Sequence, residues 1–183
     1  MHYILLNKPY GVLCQFTDPQ GRPTLKDYVD IKGVYSVGRL DYDSEGLLLL
    51  TDDAHLNHLY SEPKFKQPKT YWVQVEGEPS EEALKKLADG IVIGGQRTLP
   101  AKVKRLPDDL KIWERAVPIR FRKNIPTAWL EITICEGRNR QVRKMTAAAG
   151  YPCLRLVRVA IGSLKLGQLR PGEYELIGKP PLK

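Results

Sequence analysis

The sequence has few cysteines and no long apolar run, and both shortages exclude a class of protein. Its 183 residues include three cysteines, Cys14, Cys135 and Cys153, which is an odd number spread far apart. Such a set does not fit a disulfide framework and is typical of reduced thiols inside a cell. No apolar run approaches the ~18 residues that a membrane helix needs, and the N-terminus lacks a signal-peptide pattern. We therefore expect a soluble cytoplasmic protein that has no contact with membranes.

The chain also has fewer acidic than basic residues. The chain carries 29 Lys and Arg residues against 21 Asp and Glu residues, for a formal net charge of +8. An excess of this kind favours a polyanionic partner, most naturally nucleic acid. Bases crowd residues 120–123 and 138–144, whereas acids concentrate in 41–53 and 76–89. A chain of this length can bury a core as one domain or as two small subdomains.

The pattern of apolar residues predicts many strands and few helices. Tyr71, Val73 and Val75 alternate with polar residues, as expected for a strand with one buried face. The segment 80–89 is the clearest helix, with Ser80 as a cap and Gly90 after its end. A second, short helix is predicted through Tyr60, with Asp52 or Asp53 as its cap. Further strands are predicted at 3–6, 47–51, 91–93, 101–105, 110–113, 129–135, 153–161 and 174–177. Without a βαβ rhythm, this order predicts an α+β fold with a mostly antiparallel sheet flanked by a few helices.

An acidic loop precedes the most apolar of these strands. Asp41, Asp43 and Glu45 lie between Gly38 and Gly46, directly before the leucine run 47–50. A buried strand would fix the exit of the loop, so its carboxylates could be aimed at a substrate. An ordinary acidic surface turn has the same composition, so this stretch by itself leaves both interpretations open.

A basic stretch, 136–145, predicts the opening of a helix that ends near residue 149. Three of its arginines fall close to the predicted N-terminus: Arg138, Arg140 and Arg143. The helix dipole disfavours cations there, so they need an anion, either RNA phosphates or a carboxylate elsewhere in the fold. Arg143 follows Val142 on the apolar side and could turn inward, where it would need an acidic partner; Asp41 is our candidate. A solvated basic helix end is the alternative.

Four short motifs, each weak by itself, occur in a fixed order along the chain. They are Lys8-Pro9-Tyr10-Gly11, Gly38-Arg39-Leu40-Asp41 with the strand after it, Lys69-Thr70-Tyr71, and the basic segment 136–145. Together they make the chain resemble the RNA pseudouridine synthases, in the branch that modifies bacterial ribosomal RNA. Members of that branch often begin with an S4-type RNA-binding domain. Seven residues precede Lys8, so we expect that domain to be absent.

The resemblance implies an isomerase that converts a specific uridine of ribosomal RNA, expected in the large subunit, to pseudouridine. The base is detached from C1′ and reattached through C5, without a cofactor or a metal. Asp41 matches the essential aspartate, which must be ionised to act as nucleophile or base. Arg143 matches the arginine that pairs with it, and Tyr71 matches the tyrosine that stacks on the target base and can take the C5 proton.

The remaining site residues follow from the same resemblance. Arg39 matches an arginine that fills the space left by the extruded uridine. Leu156 lines the base pocket or belongs to the core, and Lys69 has a structural role or contacts a phosphate. Arg138 and Arg140 are expected to bind phosphates. We expect a monomer whose single catalytic domain spans 1–183, with subdomains of about 1–63 plus the C-terminal part and about 64–183 around a basic catalytic cleft.

Two other functions fit parts of the sequence. A non-catalytic RNA-binding or ribosome-assembly protein would explain the charge, although it gives no reason for an inward-facing Asp41. A metal-dependent phosphodiesterase would use the run of acids from Asp41 to Asp53, because two-metal chemistry needs converging carboxylates. His55 and His58 could join such a site, but no third ligand with matching spacing is evident, which favours ordinary surface histidines.

Overall fold

The fold is α+β, as predicted, and the computed structural model describes residues 1–65 and 67–182. Within them, eleven strands form: β1 (Tyr3–Lys8), β2 (Tyr35–Ser36), β3 (Glu45–Thr51), β4 (Lys69–Glu76), β5 (Val92–Ile93), β6 (Gln96–Arg97), β7 (Lys102–Arg105), β8 (Thr127–Ile134), β9 (Cys153–Ile161), β10 (Leu164–Lys165) and β11 (Tyr174–Leu176). The helices are α1 (Ala54–Ser61), α2 (Glu81–Asp89) and α3 (Gln141–Ala148), with short 3-10 turns at Leu25–Asp27 and Pro63–Phe65. None of these described helices combines the length and apolar character needed to cross a bilayer.

The chain divides into two compact units. Unit 1 comprises Met1–Gln67 and Arg158–Lys183, and unit 2 comprises Pro68–Val157. The chain therefore passes back into unit 1 within strand β9.

In unit 1, β1 pairs antiparallel with both β3 and β11. The β1–β3 register runs from Tyr3 opposite Thr51 to Lys8 opposite Gly46. Every residue of β1 and β3 is buried, which agrees with the continuous apolar run that predicted a core strand. Asp53 accepts a hydrogen bond from the Leu56 amide at 3.0 Å and so caps α1; of the two predicted cap residues, Asp52 and Asp53, it is the one used.

In unit 2, β8 pairs antiparallel with β4 on one side and with β7 on the other. Alternate residues of β4 and β8 are buried, and Tyr71, Val73 and Val75 face the core as their spacing predicted. The apolar side of α2 contributes Leu84 and Leu87 to the same core. The α2 helix has its predicted cap, because the Ala83 amide donates to Ser80 Oγ at 3.2 Å.

Two predictions about local structure were wrong. Residues 110–113 form no strand and belong to the irregular connection between β7 and β8. Alternating apolar residues there had suggested a strand, but a strand also needs a neighbouring edge with which to pair. The basic helix begins at Gln141, not at residue 136, so Arg138 precedes it and Arg140 is its N-cap residue.

Candidate active site

Backbone hydrogen bonds hold the acidic loop in unit 1 along its length. The Val37 amide donates to the Leu49 carbonyl at 2.8 Å and the Ser44 amide to the Asp41 carbonyl at 3.0 Å. The Tyr42 carbonyl accepts from the Gly11 amide at 2.9 Å, which ties this loop to the one after β1. Leu40 is buried, while Asp41 is half-buried. The Asp41 carboxylate is therefore carried on a backbone that neighbouring bonds fix in place.

Gly46, where the loop enters β3, is a position that no other residue can occupy without a shift of the backbone. Its φ is +106°, and a Cβ built on it would lie 2.2 Å from the Arg158 carbonyl oxygen. Arg158 itself is buried and donates from Nε to the Leu47 carbonyl at 2.8 Å. Close approach of two backbones, which requires glycine, thus fixes the C-terminal end of the loop.

Lys8 is a buried cation close enough to the acids of this loop to feel their charge. Its Nζ donates to the carbonyls of Pro9 and Val12, both at 2.8 Å, and so closes the loop after β1. Burial lowers the pKa of Lys8 to about 8, against the opposing pull of nearby acidic groups that include Asp41. Lysine is almost never fully buried, so its position here indicates a specific role. Sequence reasoning used Lys8 as part of a motif and missed this role.

The other acids near the loop have structural tasks. Glu45 is buried at the first position of β3. Asp53 also accepts from the Tyr3 hydroxyl at 2.8 Å, and Asp52 accepts from the backbone and ring of His2 at 2.6 and 2.8 Å. Across residues 1–65 and 67–182, no group of three or more His, Cys, Asp or Glu side chains is arranged to hold a metal ion. The hydrogen bonds of Asp52 and Asp53 give these two acids structural roles, which do not require the phosphodiesterase alternative.

Unit 2 contains Tyr71 and Leu156, the aromatic residue and the leucine of the predicted site. Tyr71 is 9% exposed and belongs to one core cluster together with Leu156 and Val142. Leu156 packs within this cluster, and its predicted place in the base pocket stays a prediction. Lys69, two residues before Tyr71, is half-buried at the start of β4.

The segment before α3 adopts a specific shape. Arg140 has φ +49°, and it is the one residue other than glycine with positive φ in the described part of the chain. Glu136 Oε1 accepts from the Leu99 amide at 2.9 Å and from Gln141 Nε2 at 2.6 Å, which fixes the turn. A strained residue held by its neighbours in this way is common at functional sites. Arg140 itself is exposed.

The three arginines of this segment differ in their surroundings. Arg138 donates from its guanidinium to the carbonyls of Ile93 and Gln96 at 2.6 and 3.1 Å, and so supports the β5–β6 hairpin. Arg143 lies in α3 and donates from Nη1 to Cys153 Sγ at 3.7 Å. The contacts of Arg138 are structural, and the phosphate role predicted for it stays a prediction.

The predicted site residues divide between the two units. Unit 1 contains Asp41 and the exposed Arg39, whereas unit 2 contains Lys69, Tyr71, Arg138, Arg140, Arg143 and Leu156. Within unit 2, the structure brings Tyr71 and Leu156 into one cluster. The pairing of Asp41 with Arg143 stays a prediction from the sequence.

Known proteins resemble the chain over nearly its whole length. The sequence model of a family described as RNA pseudouridylate synthase matches residues 2–148. A ribosomal large subunit pseudouridine synthase E of Vibrio parahaemolyticus is 57% identical over 174 residues, which are 95% of this chain and 73% of that protein. A protein of the same name from Xanthomonas campestris is 55% identical over 175 residues, 94% of either chain. A crystal structure of a pseudouridylate synthase aligns with a TM-score of 0.80 and 34% identity, over 97% of this chain and 70% of that one.

Proposed function

The chain belongs to the RNA pseudouridylate synthase family, and we propose that it converts one uridine of large-subunit ribosomal RNA to pseudouridine, with Asp41 as the essential carboxylate. Family membership makes it an RNA-modifying isomerase. The choice of large-subunit RNA is supported by relatives named as large-subunit synthases, at 57% and 55% identity over at least 94% of this chain. The net charge of +8 suits an RNA substrate of either subunit.

The immobilised acidic loop is the observation that carries the catalytic assignment. Asp41 lies between the buried Leu40 and the turn closed by Ser44, and the loop continues into Gly46 against the Arg158 backbone. A reacting group displaced by about 1 Å can lose about 10²-fold in rate, so a nucleophile or base profits from such a support. A surface turn without chemistry has no need of it.

The reaction is an isomerisation, so its atoms balance without a co-reactant. The N1–C1′ bond of uridine breaks, the base turns, and a C5–C1′ bond forms. C5 loses its proton and N1 carries one in the product. Asp41, ionised, would supply the nucleophile or base, and Tyr71 would stack on the base and take the C5 proton.

Three arginines would have separate roles in this reaction. Arg143 would keep the Asp41 carboxylate ionised, since an adjacent cation favours the charged form. The exposed Arg39, two residues before Asp41, would occupy the space that the target uridine leaves in its helix. Arg140 would bind a phosphate near the start of α3.

The test is to map new pseudouridines in unmodified transcripts. Large-subunit and small-subunit ribosomal RNA made in vitro are incubated with the purified protein, and pseudouridine is located by chemical labelling and primer extension. We expect one new position in the large-subunit transcript and none in the small-subunit transcript. Modification confined to the small subunit would contradict the substrate assignment, and no modification of either would contradict the function.

A further inference from the structure

The irregular connection between β7 and β8, residues 106–126, contains a basic stretch that the catalytic assignment does not use. Its tip, residues 115–124, is called here the basic loop. It carries four cations and no acid: Arg115, Arg120, Arg122 and Lys123. A solvated charged surface would account for the cations but not for the aromatic residue placed among them.

Phe121 is that aromatic residue, and its side chain is exposed to solvent. Its side chain is 76% exposed, and among the large hydrophobic residues that the structure describes only the N-terminal Met1 is more exposed. The residues from Arg120 to Asn124 are all exposed as well. Scattered apolar surface residues are ordinary, but a phenylalanine ring with a cation on either side is the combination that binds unpaired nucleotides.

The connection is anchored to unit 2 at both of its ends and through Arg122 of the tip. The Gly77 amide donates to the Pro126 carbonyl at 2.7 Å, and Arg122 Nη1 lies 3.3 Å from Glu76 Oε1. On the other side of the tip, the guanidinium of Arg155 lies 5.7 Å from the ring centre of Trp113 and 5.8 Å from that of Trp129. A loop held at its base loses less conformational freedom on binding than a free segment does.

Two of the cations have no anionic partner among the residues that the structure describes. Arg122 is paired with Glu76, but within residues 1–65 and 67–182 neither Arg120 nor Lys123 forms an ion pair. They flank Phe121 by one and two positions. Their charges are therefore available to phosphates on either side of a base that contacts the ring.

We propose that the basic loop binds the RNA substrate outside the target nucleotide, with Phe121 stacking on an unpaired base and with Arg120 and Lys123 contacting the flanking phosphates. This rests on the proposed function, because the RNA is the substrate of that reaction. The loop would add affinity for unpaired nucleotides near the target uridine without taking part in the bond changes. RNA is favoured over a protein partner because the exposed tip combines a bare ring with uncompensated positive charge.

The experiment measures RNA affinity of full-length variants with an unmodified large-subunit ribosomal RNA transcript, by filter binding over a range of salt concentrations. Phe121→Ala removes the ring and Phe121→Tyr keeps it, while Val117→Ala is the matched control for an exposed apolar residue of the same loop. Arg120→Gln with Lys123→Gln removes two charges. Lys85→Gln with Lys86→Gln removes two exposed charges from α2, where they pair with acids, and serves as the control.

We expect Phe121→Ala to weaken binding by about tenfold, and Phe121→Tyr and Val117→Ala to stay within about twofold of wild type. Removal of Arg120 and Lys123 charges should lower the slope of log affinity against log salt by about two, and the α2 control should leave it unchanged. Single-turnover rates at saturating RNA should be unchanged in the two controls, Val117→Ala and the α2 variant.

Wild-type affinity in Phe121→Ala would overturn the proposal and would leave a protein as the partner of the loop. Equal losses in Phe121→Ala and Phe121→Tyr would also overturn it, since the tyrosine retains a stacking ring. The failure of this proposal can be told apart from the failure of the proposed function, because they have different readouts. Wild-type protein that binds the transcript but forms no pseudouridine in it contradicts the function. The role of the basic loop is tested by RNA affinity.

Discussion

Two loops of this protein are built in opposite ways. The acidic loop around Asp41 has Leu40, Ser44 and Glu45 buried, and hydrogen bonds hold it from Val37 to Ser44. The basic loop is anchored at its base and exposes Phe121 and its neighbours to water. Bond making and breaking needs a group held within a fraction of an ångström, whereas contact with a phosphate tolerates adjustment. The difference in construction therefore matches a difference in task.

Gly46→Ala should disrupt the acidic loop, and it should have the largest effect of the substitutions that test this comparison of the two loops. The added Cβ would lie 2.2 Å from the Arg158 carbonyl oxygen, so the backbone of one strand must move. We expect a loss of more than about 4 kcal/mol in the free energy of unfolding, measured with urea. Gly38→Ala is the matched control, because Gly38 has φ +70° but no atom within 4 Å of the built Cβ. Its loss should be about 1–2 kcal/mol, and equal losses in both variants would contradict the close approach at Gly46.

Lys8→Met tests whether a buried cation supports the same loop. The pKa of Lys8 is lowered to about 8 by burial, so between pH 8 and its ordinary value of 10.5 the unfolded chain holds a proton that the folded chain has lost. Protonated Lys8 thus opposes folding below pH 8, and this penalty disappears as the pH rises to 10.5.

The stability of the wild type relative to Lys8→Met should accordingly increase by about 3 kcal/mol between these two pH values. Urea unfolding at a series of pH values measures this difference. Lys32→Met, at an exposed position, is the control and should show no such trend. Parallel pH profiles for the wild type and Lys8→Met would mean that the amine keeps an ordinary pKa.

Tyr71→Phe separates stacking from proton transfer. The ring is kept, so RNA affinity should stay within about twofold, while loss of the hydroxyl should lower the single-turnover rate by about 10²-fold. Tyr151→Phe is the control, because Tyr151 is another tyrosine of unit 2 and its hydroxyl accepts a bond from the Ser80 amide at 3.4 Å. A wild-type rate in Tyr71→Phe would restrict Tyr71 to stacking.

Arg140→Gln should have the smallest effect and tests the second basic region. Arg140 is exposed, so its loss should weaken RNA binding by a few-fold and lower the salt slope by about one. Arg138→Gln should instead lower stability, since the Ile93 and Gln96 carbonyls lose their donor. Salt-dependent binding and urea unfolding of both variants make the comparison. An unchanged salt slope in Arg140→Gln would exclude a phosphate contact.

Local patterns predicted much of this fold. Helix α2 follows from Ser80 as its cap, from its apolar side and from Gly90, and β4 follows from the alternation of Tyr71, Val73 and Val75. These signals are local because caps and periodicity depend on neighbours in sequence. They also located the acidic loop, since the buried strand after it is a continuous apolar run.

Other features depend on partners that are distant in sequence. Burial of Arg158 could not be predicted, since charged side chains are rarely buried and its carbonyl partner, on Leu47, is brought to it by the fold. The apolar alternation at 110–113 predicted a strand, but there the chain pairs with no other strand. The start of α3 was predicted too early, because the turn before it depends on Leu99 bonding to Glu136.

The most direct measurement is the single-turnover rate of pseudouridine formation by Asp41→Asn, together with its affinity for the same large-subunit ribosomal RNA transcript. The substitution keeps the shape of the side chain and removes its charge. We expect the rate to fall by more than about 10³-fold, because the carboxylate that acts as nucleophile or base is lost, while RNA affinity stays within about twofold. Turnover by Asp41→Asn at a rate comparable to wild type would contradict the assignment of Asp41 as the essential carboxylate.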